Sequence, residues 1–250
     1  MSGHSKWSSI KHKKAATDAK RGQLFTKLAR DITVAARGGA DPDMNSALRL
    51  AIQKARDSNM PGSNVERAIQ RATGGGDGAS LEEIVYEGYA PGGTAVLIQT
   101  VTDNRNRTVA DIRVTLNRGG GTLAENGAVA WMFDLRGVIT LDAAEADADE
   151  IQLAAIEAGA DDVSADDQLV EVLTSPGDLE AVRAALTDEG FTIASAEIAQ
   201  VAKNMVELDE KNAAQTLRLL DQLDELDDVS RVYSNADFTD EALAAAGLGE

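Results

Sequence analysis

The chain has 250 residues, 43% of them hydrophobic, with 22 glycines, 4 prolines and a formal charge of −18. This composition is too apolar for global disorder and too poor in glycine for a fibre, and the length suits one large domain or a few small ones. No apolar run reaches the roughly 18 residues of a membrane span. With no cysteine and no apolar signal core near Met1, the sequence reads as cytoplasmic, free of disulfides and of thiolate metal sites.

The charge is segregated. Residues 1–76 carry 14 Lys/Arg against 6 Asp/Glu, a net of +8, whereas 77–140 net −3 and 141–250 net −23. Within the first 30 residues there are 8 basic side chains and a single acid, Asp18. Taken whole, −18 argues against a polyphosphate partner, but a basic end on an acidic chain is a recognised pointer to nucleic acid.

In chain order, Lys13–Arg37 shows helical spacing of Leu24, Phe25, Leu28, Ile32 and Ala36. At about 100° per residue, Lys13, Lys20, Lys27, Arg30 and Arg37 fall largely on the opposite face, while Lys14 and Arg21 break the pattern. Gly38-Gly39 ends this helix. Asp41-Pro42 predicts the start of a second, with Asp as N-cap and Pro at the first helical position. Ser63-x-x-Glu66 reads as a capping box opening a third. Gly74-Gly75-Gly76-Asp77-Gly78 reads as a hinge and a domain boundary.

Beyond it, strands alternate with helices. Ile84–Tyr89 and Thr94–Val101 predict a hairpin about Pro91-Gly92-Gly93, followed by a helix over Arg107–Asn117. Val129–Phe133 and Val138–Leu141 predict a second hairpin, turning at Leu135-Arg136-Gly137. Helices over 146–158, 179–189 and 211–226 alternate with strands near 162–163, 169–173, 191–197 and 229–234. Residues 239–250 read as a frayed end. The fold class expected is α+β: a helical N-terminal domain followed by two small α+β sandwich domains, the last inserted into the middle one. The boundaries are 1–78, 79–128 with 205–238, and 129–204.

Catalytic groupings are sparse. The two histidines, His4 and His12, both sit in the basic arm without neighbouring carboxylates. Asp41-x-Asp43-x-Asn45 opens like a calcium loop but has Ser46 where Gly is needed and Ile52 where a bidentate Glu is needed. The acidic runs Asp147–Glu150 and Asp224–Asp228 read as solvated helix faces. The sequence therefore assigns no catalytic residue, metal, cofactor or small-molecule substrate, and no membrane partner.

The candidate nucleic-acid site is Lys6, Trp7, Lys11, His12, Lys13, Lys14, Lys20, Arg21, Lys27 and Arg30. Dense cation gives sequence-independent phosphate affinity, and Trp7 can stack on a base or pack on the helical core. A second phosphate contact is Asn104, Arg105 and Arg107, at a strand-to-helix junction where free N–H groups meet two arginines. The competing reading there is a helix cap with internal Arg–carboxylate pairs.

Several segments together resemble the YebC/PmpR group of bacterial proteins, which includes mitochondrial translational activators. They are Met1–Trp7 with Ile10–Lys14, Asp18–Gly22, Met60-Pro61 with Asn64–Ile69, Tyr86–Gly93, Thr102–Thr108, Val129–Phe133, Leu226–Val229 and Tyr233–Asp237. Ala90 departs from the glycine that many members carry. The resemblance implies three domains and a cytoplasmic regulator without known enzymatic activity. The family is described as DNA-binding transcriptional regulators, and also as ribosome-associated factors aiding translation of sequences such as proline runs. A lysine arm neutralises DNA and ribosomal RNA phosphates alike, so these readings stay open here.

Overall fold

The computed structural model describes residues 18–74, 81–142, 148–165 and 169–239; the basic arm, most of the glycine hinge and the end of the chain lie outside them. A helical lobe comes first: α1 (Asp18–Ala36), α2 (Ser46–Asp57) and α3 (Gly62–Thr73). Leu28, Ile32 and Ala36 recur every four residues, so one stripe of α1 closes over Leu48, Ile52, Ala55, Val65 and Ala68.

Two helix starts differ from the sequence expectation. Asn45, not Asp41, caps α2: its side chain accepts from the Leu48 N–H at 3.1 Å and donates to the carbonyls of Ala35 and Gly39, both at 2.8 Å. That one amide fastens both ends of the interhelix turn. Asp41 instead takes the Asp43 N–H and turns the chain before the helix begins. Helix α3 is entered from extended Pro61 with no side-chain cap, and Ser63 already lies inside its first turn. The capping box therefore does not form.

The next elements are β1 (Glu82–Tyr89), β2 (Ala95–Thr102), α4 (Arg105–Arg118) and β3 (Thr122–Leu123). Strands β1 and β2 pair in register from Glu82 opposite Thr102 to Tyr89 opposite Ala95. Their connection needs glycine: Gly92 has φ +76°, and a Cβ there would lie 2.3 Å from Leu208.

Then follow β4 (Phe133–Asp142), α5 (Ala148–Glu157), β5 (Asp162–Ala165), β6 (Leu169–Thr174), α6 (Leu179–Asp188) and β7 (Ile193–Ala202). The expected hairpin at Leu135–Gly137 is absent. Residues 133–142 form one strand, and Gly137 pairs with Thr174 on one side and Ile198 on the other. This glycine serves close approach rather than a turn, because a Cβ there would sit 2.2 Å from the Thr174 hydroxyl.

The chain ends with β8 (Val206–Glu207), α7 (Glu210–Asp224), β9 (Val229–Ser234) and β10 (Ala236–Asp237). Strand β9 pairs with β2, giving a sheet β3-β1-β2-β9, while β5-β6-β4-β7 form a second sheet and β8 pairs with β10. The molecule is thus α+β.

Each large sheet buries one face under two helices. Val96, Ile98 and Val232 pack against Ile112, Leu116, Leu217 and Leu220 of α4 and α7. Ile139, Leu141, Val170 and Val172 pack against Ile151, Ala155, Val182 and Leu186 of α5 and α6. A further apolar core joins the sheets, with Ala95, Leu97 and Tyr233 from the first meeting Phe133, Val138, Ala199 and Val201 from the second.

Candidate nucleic-acid interface

Of the predicted arm, Lys6, Trp7, Lys11, His12, Lys13 and Lys14 lie outside the described residues, as does the side chain of Lys20. Arg21 is exposed near the start of α1. Lys27 and Arg30 turn toward the acidic part of the chain. The Lys27 ammonium donates to the Asp224 carbonyl, and Arg30 donates to the Asp227 carbonyl at 2.5 Å and the Asp228 carboxylate at 3.0 Å.

Asp228 organises this region. It is only 6% exposed, and its carboxylate accepts from Arg107 at 2.8 and 3.2 Å, Thr108 at 2.8 Å and Thr102 at 3.2 Å. Burial works to raise its pKa, but the bonds from Arg107 and Thr108 and the charges of Arg107 and Arg30 hold it below the usual carboxylate value. The run Asp224–Asp228 is therefore not a solvated face throughout, since its last member is a buried acceptor for cations from two elements. Arg107 also pairs with Asp103 at 2.8 Å, and its pKa is raised by the bonds to Asp228 and Asp103.

The second predicted contact sits against this network. Asn104 caps α4, accepting from the Arg107 N–H at 3.1 Å. Arg105 and Arg107 are both exposed, the latter with its guanidinium held by Asp228 and Asp103. Gln23, Arg30, Arg107, Asp111, Glu225 and Asp227 line a cleft of about 570 Å³ here.

A second ionic cluster joins all three parts of the fold. Lys54 of α2 lies 2.6 Å from Glu197 of β7, and Arg231 of β9 lies 3.7 Å from the same carboxylate. Arg231 also donates to the Ile198 carbonyl at 2.7 Å. Burial lowers the pKa of Lys54, helped by the charge of Arg231. Burial likewise raises that of Asp31 on α1, although Arg231, Lys54 and Lys27 all oppose the rise.

Glu87, 3% exposed, ties the strand β1 to the connection leading into the second sheet. Its carboxylate accepts the N–H groups of Gly127, Val129 and Ala130 at 2.6, 2.6 and 2.8 Å. Burial opposes its ionisation, but these bonds outweigh it and depress its pKa. Sequence reasoning gave no role to Glu87 or Glu197 and read Asp228 only as part of a solvated acidic run. For the two glutamates the available signal was a lone acid between apolar or aromatic strand residues, as in Val85-Tyr86-Glu87-Gly88.

Among the described residues no group of three or more His, Asp or Glu is placed to hold a metal, and no helix is long and apolar enough to cross a membrane.

Residues 81–236 match the family profile described as "TACO1/YebC second and third domain", and residues 5–75 match "TACO1/YebC protein N-terminal domain". The chain belongs to the TACO1/YebC family. Relatives named probable transcriptional regulatory protein include one from Dehalococcoides mccartyi strain BAV1, 55% identical over 97% of both chains. Another, from Chloroflexus aurantiacus, is 54% identical over 98% of both. The crystal structure of a conserved hypothetical protein from Aquifex aeolicus is similar, with a TM-score of 0.84 and 43% identity over 92% of this chain and 96% of that one.

Several segments carrying the resemblance now have structural roles in this TACO1/YebC chain. Tyr86–Gly93 forms the end of β1, its Glu87 anchor and the glycine turn; Thr102–Thr108 caps α4; Leu226–Val229 carries the Asp228 hub; Tyr233–Asp237 spans β9 and β10.

Proposed function

We propose that this TACO1/YebC chain is a DNA-binding regulator of transcription that holds phosphate through its basic arm and helical lobe and performs no catalytic step. The observation that carries the reading is the charge segregation, +8 over residues 1–76 within a chain of −18. Arginines of the helical lobe support it. Arg37, Arg49 and Arg67 are exposed and donate to neutral oxygens of Leu81, Pro42 and Ser63, so these bonds leave their positive charge uncompensated. Arg56 and Arg71 are exposed in the last turns of α2 and α3.

Such a surface recognises phosphate without reading bases, so specificity would come from DNA shape or from a partner. The test is fluorescence anisotropy with a labelled DNA duplex, run beside sedimentation of the chain with ribosomes at low salt. Saturable duplex binding with free migration away from ribosomes supports transcriptional control. Ribosome co-sedimentation without duplex binding would replace it with ribosome-associated translation, through the same cations on ribosomal RNA.

A further inference from the structure

Two cations of the α1 face, Lys27 and Arg30, are only partly exposed. Lys27 and Arg30 bond to oxygens at the end of α7 and in the acidic stretch after it, the carbonyls of Asp224 and Asp227 and the carboxylate of Asp228. Carbonyls at a helix C-terminus carry partial negative charge, and the carboxylate adds a full one. A row of oxygen acceptors bonded to a lysine and an arginine, one of them a carboxylate, is of the kind a nucleic-acid backbone offers. Two further contacts among the described residues also set a cation on an oxygen: Lys54 on Glu197 at 2.6 Å and Arg37 on the Leu81 carbonyl at 2.6 Å. The core of the helical lobe is closed by its own residues, and among the described residues Leu50 is the lobe side chain that packs against the core of the second sheet.

We propose that the Lys27–Arg30 face of α1 is a concealed polyphosphate-binding surface, for which the 224–228 segment acts as an internal competitor. The proposal rests on the nucleic-acid reading above. When Lys27 and Arg30 exchange the Asp224, Asp227 and Asp228 oxygens for nucleic-acid phosphates, the lobe leaves the two sheets. The exchange swaps one set of charge-assisted bonds for another and uncovers little apolar surface, so it is close to balanced. Asp31, on the same helix and crowded by burial, adds a cost to the docked state.

The absence of cysteine allows a direct test. Gln70→Cys on α3 and Ala184→Cys on α6, both exposed, take a donor and an acceptor dye in the full chain. An unlabelled short DNA duplex is then titrated in, for this protein and with Glu197→Gln or Lys54→Met added. Both variants weaken docking without touching Lys27 or Arg30, and Lys54→Met does so while removing a positive charge. The expected result is a fall in energy transfer that tracks binding, and about two- to fivefold tighter binding by both variants, the scale of one half-buried ion pair. Duplex binding to saturation with unchanged energy transfer would overturn the inference and leave the proposed function standing. Absence of binding by the parent and both variants would overturn the two together.

Discussion

The two sheets and the helical lobe are joined to the rest of the molecule by opposite physics. Between the sheets lie Leu97, Tyr233, Phe133, Val138 and Val201, apolar or aromatic and nearly all solvent-free. Between the helical lobe and the sheets lie Lys27, Arg30, Arg37 and Lys54, each on an oxygen acceptor. Apolar burial is indifferent to salt, whereas ion pairs of partly exposed groups weaken as salt rises. The sheets are therefore held together largely by apolar burial, and the described polar contacts of the helical lobe hold it by charge.

The largest expected effect is at the sheet-to-sheet core. Phe133→Ala, at 5% exposure, should cost about 3–5 kcal/mol in urea unfolding, at low and high salt alike. Glu87→Gln leaves three N–H groups, that of Val129 buried, facing a side chain with one acceptor oxygen, and should cost about 1–3 kcal/mol. Lys203→Ala breaks a pair in which both partners are about half exposed, and should change stability by less than about 1 kcal/mol. A loss there as large as that at Phe133 would erase the distinction between apolar burial and partly exposed charge on which the comparison rests.

Acid should separate the contributions further. Glu87 and Asp228 both have folded-state pKa values below their ordinary 4.5 and 3.8. Their stabilisation is complete above those ordinary values and is lost as pH falls through the depressed ones. Stability measured downward from pH 5 should fall less steeply in Glu87→Gln than in the parent chain, because one of the two groups no longer titrates.

Periodicity and turn chemistry made much of the fold legible. The stripe Leu28–Ile32–Ala36 identified α1, and Pro91-Gly92-Gly93 identified the β1–β2 turn. Gly137 misled because a glycine demanded by a close neighbour looks, in one dimension, like a glycine demanded by a turn. Asp41 lost the cap to Asn45 because an amide can accept from the helix and donate to the preceding turn, which a carboxylate cannot. Lys27 and Arg30 were legible as cations on one face of α1. Their partners were not, since Asp224, Asp227 and Asp228 stand nearly two hundred positions away and only the folded chain brings them to Lys27 and Arg30.

The central claim is that the basic end of this polarised molecule touches phosphate. Its most direct test is the affinity for a DNA duplex across a salt series, for the parent chain and for Lys11→Ala/Lys13→Ala/Lys14→Ala. Each lost phosphate contact should reduce the log–log slope by about 0.9, so the triple variant should show a clearly shallower line. Coincident slopes would take the arm out of the interface and contradict the account.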